Sequence, residues 1–195
     1  MDGSGGLGLA PGTPRQRFED VALPHLDAAY NLARWLTRND ADAADVVQEA
    51  MLRALTYIDG YRGENARAWL LTIVRNTCFR WLERNRPAVV MPFSEEIEAE
   101  VEAAEARPGG EAPPDPETLL LHRRDAALLN ELVSELPPLY REVLVLREME
   151  ELSYREISDV LGVPIGTVMS RLARARGLLK ENWGRRGKRG PGNGV

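Results

Sequence analysis

The ten residues RPGGEAPPDP, at positions 107–116, divide the chain into two parts. Four of them are proline and two are glycine, residues that remove backbone hydrogen-bond donors or cost conformational entropy inside helices and strands. No regular element is expected to continue through such a stretch. The chain is therefore predicted to fold as two modules on either side of a linker.

Both flanking parts have a helical pattern. Apolar residues recur at spacings of three and four in residues 17–87 and 119–182, and no proline lies between Pro24 and Pro87. No strand pattern of useful length and no repeat of fixed period is present. The expected fold class is all-α, with two small helical domains joined by a flexible acidic linker. The predicted ranges are a flexible N-terminal tail at 1–16, an N-terminal module at 17–87, the linker at 88–118, a C-terminal module at 119–182 and a basic flexible tail at 183–195.

Charge is distributed unevenly along the chain, whose net charge is -5. Residues 88–118 carry nine acids and one base, whereas residues 153–195 carry nine bases and three acids. A local basic surface of this kind indicates nucleic-acid binding even in an acidic protein. The acidic linker has two open interpretations, a solvated spacer or a segment with a binding role of its own.

Several function classes are disfavoured by composition. Cys78 is the single cysteine, and His25 and His122 lie far apart in sequence, so neither a disulfide nor a metal site is expected. No Ser/His/Asp grouping or phosphate-binding glycine loop is present, which disfavours an enzyme, a cofactor and a small-molecule substrate. No apolar run reaches the length of a membrane span, and the N-terminus does not resemble a signal peptide. A cytoplasmic protein is expected, with Cys78 as a packing residue rather than a redox sensor.

The C-terminal module contains the pattern of a helix-turn-helix. Ser153 and Glu156 have capping-box spacing, which starts a helix. Gly162 suits the left-handed conformation that ends one, and Pro164 stands where a second helix begins. Two short helices joined by a tight turn that contains glycine make this motif.

The second helix of the motif has an apolar stripe and a nearly bare opposite face. At about 100° per residue, Val168, Leu172, Ala175 and Leu179 share one stripe. Small residues on the other side let a backbone approach base edges in the major groove, where Arg174 reaches a base or a phosphate. Arg171 and Arg176 lie on the flanks, where phosphate contacts are expected. The candidate duplex-binding residues are Gly166, Thr167, Ser170, Arg171, Ala173, Arg174 and Arg176.

In the N-terminal module, the segment DADAADVVQEAMLRALTYI predicts a long helix with Val47, Met51, Ala54 and Ile58 on its buried stripe. Leu52 is an apolar residue among polar ones on the opposite face, as at a protein–protein contact. The candidate protein-contact residues are Asp45, Gln48, Glu49, Leu52 and Arg53.

The following helix, NARAWLLTIVRNTCFRWLERNR, alternates aromatic residues with arginines on its predicted outer face. Rings that stack on bases and arginines that hold a backbone are typical of single-stranded DNA binding. Packing of Trp69 and Phe79 against a neighbouring helix is an equally open interpretation. The candidate single-strand-binding residues, with the preceding loop, are Tyr61, Arg62, Asn65, Arg67, Trp69, Arg75, Asn76, Phe79 and Arg80.

Three segments resemble the motifs of a known family. DVVQEAMLRAL, ARAWLLTIVRNTCFRWL and LSYREISDVLGVPIGTVMSRLARAR are similar to those of bacterial extracytoplasmic-function (group IV) sigma factors of the sigma-70 family. The resemblance covers roughly residues 17–87 and 119–182, both modules in the expected order. It implies a sigma region 2 followed by a region 4 helix-turn-helix, without the extra modules of housekeeping sigma factors.

The resemblance also implies a mechanism and partners. The N-terminal module would bind the clamp helices of the largest subunit of core RNA polymerase through the candidate protein-contact residues. It would capture an unpaired base of the −10 promoter element and help to melt DNA through the single-strand set. The C-terminal module would read the −35 element as duplex and rest on the flap of the second large subunit. An anti-sigma factor, often membrane-bound, would hold such a protein inactive, and the glutamates between Glu95 and Glu105 would mimic the charge of RNA in the polymerase.

Two other functions compete with this interpretation. A stand-alone regulator would bind operator DNA as a dimer, which leaves the predicted aromatic helix unexplained. A protein-interaction module that has lost DNA binding conflicts with the presence of Ser170 and Arg174. Binding of promoter duplex alone, rather than only with core polymerase, would distinguish a regulator from a sigma factor.

Overall fold

The computed structural model describes residues 13–63, 65–87 and 127–187. The predicted linker at 88–118 lies outside these ranges, as do residues 1–12 and 188–195 of the predicted tails. Every regular element in the described part of the chain is helical, as the spacing of apolar residues predicts.

The N-terminal module contains four α-helices and two short 3₁₀ turns. Asn39 and Asn65 cap the third and fourth helices, where their side-chain oxygens accept hydrogen bonds from the backbone N–H groups of Asp42 and Ala68. The α-helices are α1 (Pro14–Val21), α2 (Leu26–Thr37), α3 (Asp40–Tyr57) and α4 (Ala66–Asn85), and the 3₁₀ turns are Leu23–His25 and Ile58–Gly60.

Within residues 127–187, the described part of the C-terminal module, there are four further helices. They are α5 (residues 127–135), α6 (Pro138–Leu144), α7 (Tyr154–Leu161) and α8 (Ile165–Gly187). A π-helical turn, Val145–Met149, continues α6.

Helix boundaries differ from the predicted ranges at both tails. α1 begins at Pro14, inside the range predicted as tail, because Thr13 and Gln16 form a capping box. α8 continues to Gly187, so that residues 183–187 are helical rather than tail. Arg186 there contacts Glu131 and Glu135 of α5, and the Arg186–Glu131 distance is 2.6 Å. Side-chain pairing across two helices thus extends α8 beyond its apolar pattern.

The two modules pack against each other rather than lying apart. α4 contacts α7, and α2 contacts α6 and the π-helical turn. Buried apolar residues of both modules, such as Leu71 of α4 and Leu146 of the π-helical turn, belong to one continuous core.

A buried arginine reinforces this contact. Arg141 of α6 donates hydrogen bonds to the backbone oxygens of Trp35 and Leu36 at the end of α2, at 2.8 and 3.3 Å. It also donates to the backbone oxygen of Leu136 at 2.6 Å. The first two hydrogen bonds satisfy the Trp35 and Leu36 carbonyls, which helix geometry leaves unpaired at the end of α2.

Candidate nucleic-acid interface

The helix-turn-helix has the geometry that its sequence predicts. Ser153 and Glu156 form the capping box: the Ser153 backbone N–H donates to Glu156 Oε2 at 2.8 Å, and the Glu156 N–H donates to Ser153 Oγ at 3.3 Å. Gly162 ends α7 with a φ of 67°, in the left-handed region that favours glycine. Ser158 Oγ then donates to the backbone oxygen of Val163 at 2.6 Å, which fixes the turn before α8.

The predicted inner stripe of α8 is confirmed. Val168, Leu172 and Ala175 are buried, and Leu179 is half-buried. On the opposite side Gly166, Ala173, Arg174 and Gly177 are exposed, whereas Ser170 and Thr167 are half-buried. A Cβ added at Gly166 or Gly177 would meet no atom within 4 Å, so the chain itself leaves open space beside this face. The arrangement allows a duplex to approach the helix backbone closely.

The two flanking arginines are engaged within the protein. The side chain of Arg171 is 13% exposed, and its Nη1 lies 3.8 Å from Glu142 Oε1. Arg176 Nη2 lies 2.6 Å from Glu148 Oε1, and the hydrogen bond to Glu148 raises the pKa of Arg176. In this arrangement Arg171 points largely inward rather than to the flank where a phosphate contact was expected.

Three residues of the single-strand set contact carboxylates of the C-terminal module. Asn65 Nδ2 donates to Glu156 Oε1 at 2.6 Å, and Arg67 forms an ion pair with Glu150. The sequence analysis does not identify these glutamates as partners, because their separations of 91 and 83 residues from Asn65 and Arg67 carry no local signal.

The third of these contacts is made by Arg75, which joins α4 to α6. Its Nε and Nη2 donate to the two carboxylate oxygens of Glu142 at 2.7 and 3.2 Å. Glu142 is fully buried; burial raises its pKa, while the hydrogen bond from Arg75 opposes that rise. Arg75 also lies over the ring of Phe79, 4.7 Å from its centroid.

The aromatic residues of the set are half-buried. The rings of Tyr61 and Trp69 contact each other with centroids 5.0 Å apart and planes tilted by 45°, and Trp69 and Phe79 pack against the common core. Packing therefore accounts for part of each ring, in agreement with one of the two interpretations left open. The exposed members of the set are Arg62, Asn65, Asn76 and Arg80.

The predicted protein-contact surface lies on the outer side of α3. Asp45 and Gln48 are exposed, and Leu52 is 62% exposed. Glu49 Oε1 accepts a hydrogen bond from Arg53 Nη2 at 2.6 Å, so these two residues form an ion pair along the helix. The sequence analysis missed Leu55 and Tyr57, which are also exposed. The spacing of three residues from Leu52 to Leu55 is the signal that places these two leucines side by side on the helix surface.

Cys78 is buried on α4. Burial raises the pKa of its thiol, so the reactive thiolate is suppressed. This position agrees with the predicted packing role.

Two negative findings apply to residues 13–63, 65–87 and 127–187. No helix there has an apolar stretch long enough to cross a membrane. In the same ranges, His, Cys, Asp and Glu residues form no group of three that could hold a metal ion.

Two family models match the chain. The model of sigma-70 region 2 matches residues 22–87, and that of sigma-70, region 4 matches residues 126–179. The matched segments correspond to the two modules and occur in the predicted order.

Relatives of known name are similar to most of the chain. The ECF RNA polymerase sigma factor SigE of Mycolicibacterium smegmatis is 33% identical over 164 residues, which are 84% of this chain and 60% of the relative. The ECF RNA polymerase sigma-E factor of Escherichia coli K12 is 36% identical over 140 residues, 69% of this chain and 70% of the relative. The match therefore spans less than two thirds of the length of the first relative.

Solved structures resemble this chain over most of its length. The sigma factor RpoE of Bartonella quintana, in complex with the anti-sigma factor NepR, has a TM-score of 0.60 at 25% identity, covering 85% of this chain and 96% of that one. CnrH, in complex with the cytosolic domain of CnrY, has a TM-score of 0.59 at 25% identity, covering 89% and 91%. Because both regions match in order and relatives above 30% identity share them, the chain belongs to the extracytoplasmic-function (ECF) sigma factors of the sigma-70 family.

Proposed function

We propose that this chain is an alternative sigma factor: it binds core RNA polymerase, recognises −35 and −10 promoter elements, assists promoter melting and starts transcription of a specific set of genes. The observation that carries this proposal is the exposed face of α8, the second helix of a fully formed helix-turn-helix. That face combines small residues with Arg174 and has open space beside it. Sequence-specific duplex binding requires such a face, and neither catalysis nor a cofactor is needed.

The C-terminal module is assigned to the −35 element. Gly166, Ser170 and Ala173 would allow close approach to the major groove, and Arg174 would contact a base or a phosphate. Arg171, Arg176 and Thr167 would support the backbone contact; Arg171 and Arg176 would first have to release Glu142 and Glu148. The same module would rest on the flap of the second large polymerase subunit.

The N-terminal module is assigned to the −10 element and to the polymerase clamp. Arg62, Asn76 and Arg80 are exposed and would contact the unpaired strand directly. Asn65, Arg67 and Arg75 would join them after separation from the C-terminal module, with Tyr61, Trp69 and Phe79 as stacking rings. The clamp helices of the largest subunit would bind the outer side of α3 at Asp45, Gln48, Glu49, Leu52 and Arg53.

An anti-sigma factor is the proposed regulator of this protein. Support comes from RpoE and CnrH, which are similar over most of the chain: RpoE was solved with the anti-sigma factor NepR, and CnrH with the cytosolic domain of CnrY. The site of action would be the cytoplasm, where core polymerase and DNA are found, with possible tethering at the membrane belonging to the partner rather than to this chain.

Reconstituted transcription tests the proposal. Core polymerase with this protein, on a library of genomic fragments, is expected to give discrete start sites that share two upstream elements. Core polymerase alone serves as the control. Absence of specific starts, together with tight duplex binding by the protein alone, would instead support the stand-alone regulator.

A further inference from the structure

Three apolar residues form a ridge along the start of α8. Ile165, Met169 and Ala173 follow each other at intervals of four, so that their side chains lie on one side of the helix. Ile165 is 44% exposed and Met169 is 53% exposed, and Ala173 is exposed as well. This apolar ridge runs beside a second ridge of the same spacing, formed by Gly166, Ser170 and Arg174.

The apolar ridge is not explained by packing within the described chain. Isolated exposed apolar side chains are common on proteins, but two large ones here occupy consecutive positions of one ridge. Val168 and Leu172, on the core stripe of the same helix, are already buried without them. The space beside Gly166 is open, and Gly166 stands three residues before Met169 on the same part of the helix surface.

The position of the ridge identifies the chemistry of its partner. In a helix-turn-helix, residues near the start of the second helix meet base edges in the major groove. The apolar group that the four base pairs present there is the C5-methyl of thymine. Methionine is suited to such a contact, because its unbranched thioether chain adapts to irregular apolar surfaces.

We propose that Met169 determines promoter specificity by contacting thymine methyl groups of the −35 element, with Ile165 and Ala173 extending the same apolar surface. The proposal rests on the function proposed above and deepens it. Arg174, on the neighbouring ridge, supplies the polar contact, so one helix combines a hydrogen-bonding row with a methyl-binding row. The −35 element of this protein is therefore expected to contain at least one A·T pair whose methyl group is required.

Replacement of thymine by deoxyuridine tests the proposal. The change removes only the methyl group and keeps every hydrogen-bonding atom. Each thymine of the −35 element, once mapped by the transcription experiment, is replaced in turn on either strand. Binding by the polymerase that carries the wild-type protein is expected to weaken about fourfold at one or two of these positions, since burial of one methyl-sized group contributes roughly 0.8 kcal/mol.

Protein variants test whether the weaker binding of deoxyuridine promoters depends on Met169. Met169→Ala is expected to bind the thymine and deoxyuridine promoters equally, and Met169→Leu to retain part of the difference. Leu129→Ala removes an exposed apolar side chain of α5 and is expected to keep the full wild-type difference. Because Met169 is exposed, thermal unfolding of the alanine variant should match that of the wild type.

The possible outcomes separate the two proposals. Specific transcription with no deoxyuridine effect at any position, or an effect that persists unchanged in Met169→Ala, would overturn the methyl contact and leave the sigma function standing. A wild-type protein that directs no specific transcription would overturn the sigma function itself. A fourfold effect that disappears only in the Met169 variant would establish the contact.

Discussion

Arg75 of α4 and Glu142 of α6 form a two-point ion pair across the contact between the modules. The two hydrogen bonds are 2.7 and 3.2 Å long, and Glu142 is fully buried. Arg67 with Glu150, and Asn65 with Glu156, repeat the pattern along the same contact. Three residues that are proposed to contact the −10 strand thus bind carboxylates of the C-terminal module in this structure.

This arrangement must open before both promoter elements can be bound. The −10 and −35 elements are about 25 base pairs apart, on the order of 85 Å along duplex DNA at about 3.4 Å per base pair. The two modules, by contrast, share one buried core. Separation would release Asn65, Arg67 and Arg75 from their glutamate partners.

Glu142→Gln is expected to favour the open arrangement. Glutamine keeps the shape of the side chain but removes the buried anion that pairs with the half-buried Arg75, and breaking such a pair costs on the order of 3 kcal/mol. The free variant should bind a single-stranded −10 oligonucleotide more tightly than the wild type, as measured by fluorescence anisotropy. Glu148→Gln, at an exposed pair with Arg176, is the matched control and should change nothing. A folded Glu142→Gln protein with wild-type affinity would contradict this expectation.

Two glycine substitutions should change stability in opposite directions. Gly162 has a φ of 67°, so Gly162→Ala should lower the free energy of unfolding by about 1 kcal/mol. Gly177 lies within α8 with open space around it, and Gly177→Ala should raise that free energy by up to about 1 kcal/mol. Urea denaturation of both variants measures the difference. A gain in stability for Gly162→Ala would show that the turn does not require its left-handed residue.

Leu52→Ala should weaken core polymerase binding without affecting folding. The side chain is 62% exposed, so its loss leaves the core intact, whereas burial of a leucine against a partner contributes about 1.5–3 kcal/mol. An affinity loss of roughly tenfold or more is expected when the protein is titrated with core enzyme. Leu129→Ala, which truncates an exposed leucine on α5, should retain wild-type affinity. Equal affinity for both variants would remove Leu52 from the contact.

Arg174 and Arg171 of α8 are expected to affect different binding reactions when each is replaced by alanine. Arg174→Ala removes an exposed side chain and should weaken binding of the −35 element by about 1–3 kcal/mol if the contact is to a base. The loss should then depend on the −35 sequence, as measured with a panel of promoter variants; an equal loss on every variant would indicate a phosphate contact.

Arg171→Ala tests whether the inward-pointing arginine of α8 helps to hold the two modules together. The guanidinium lies near Glu142, so its loss should increase binding of the single-stranded −10 oligonucleotide by the free protein. If Arg171→Ala instead reduces duplex binding as strongly as Arg174→Ala and does not increase affinity for the single-stranded oligonucleotide, the phosphate contact predicted from sequence would be favoured.

Local chemistry made the helix-turn-helix predictable from sequence. Ser153, Glu156 and Gly162 act on backbone groups within four residues of themselves, so their effect does not depend on the rest of the fold. The inner stripe of α8 follows from the 3.6-residue period, which requires only that one face be buried. The order of the motifs was likewise sufficient to indicate the family.

The partners of the charged residues were decided only by the tertiary structure. Periodicity predicts one buried stripe on α4. The structure has a second buried face on this helix, which includes Leu71 and Cys78. This face is buried because the C-terminal module covers α4. Arg75 has the same sequence signature whether it contacts DNA or Glu142, since a guanidinium binds phosphate and carboxylate alike. Its choice of partner depends on which helix lies opposite, and that juxtaposition is long-range. The sequence by itself therefore determined the two helical modules and the exposed face of α8, whereas contacts across the chain decided which of the predicted DNA-binding residues lie exposed and which bind another part of the protein.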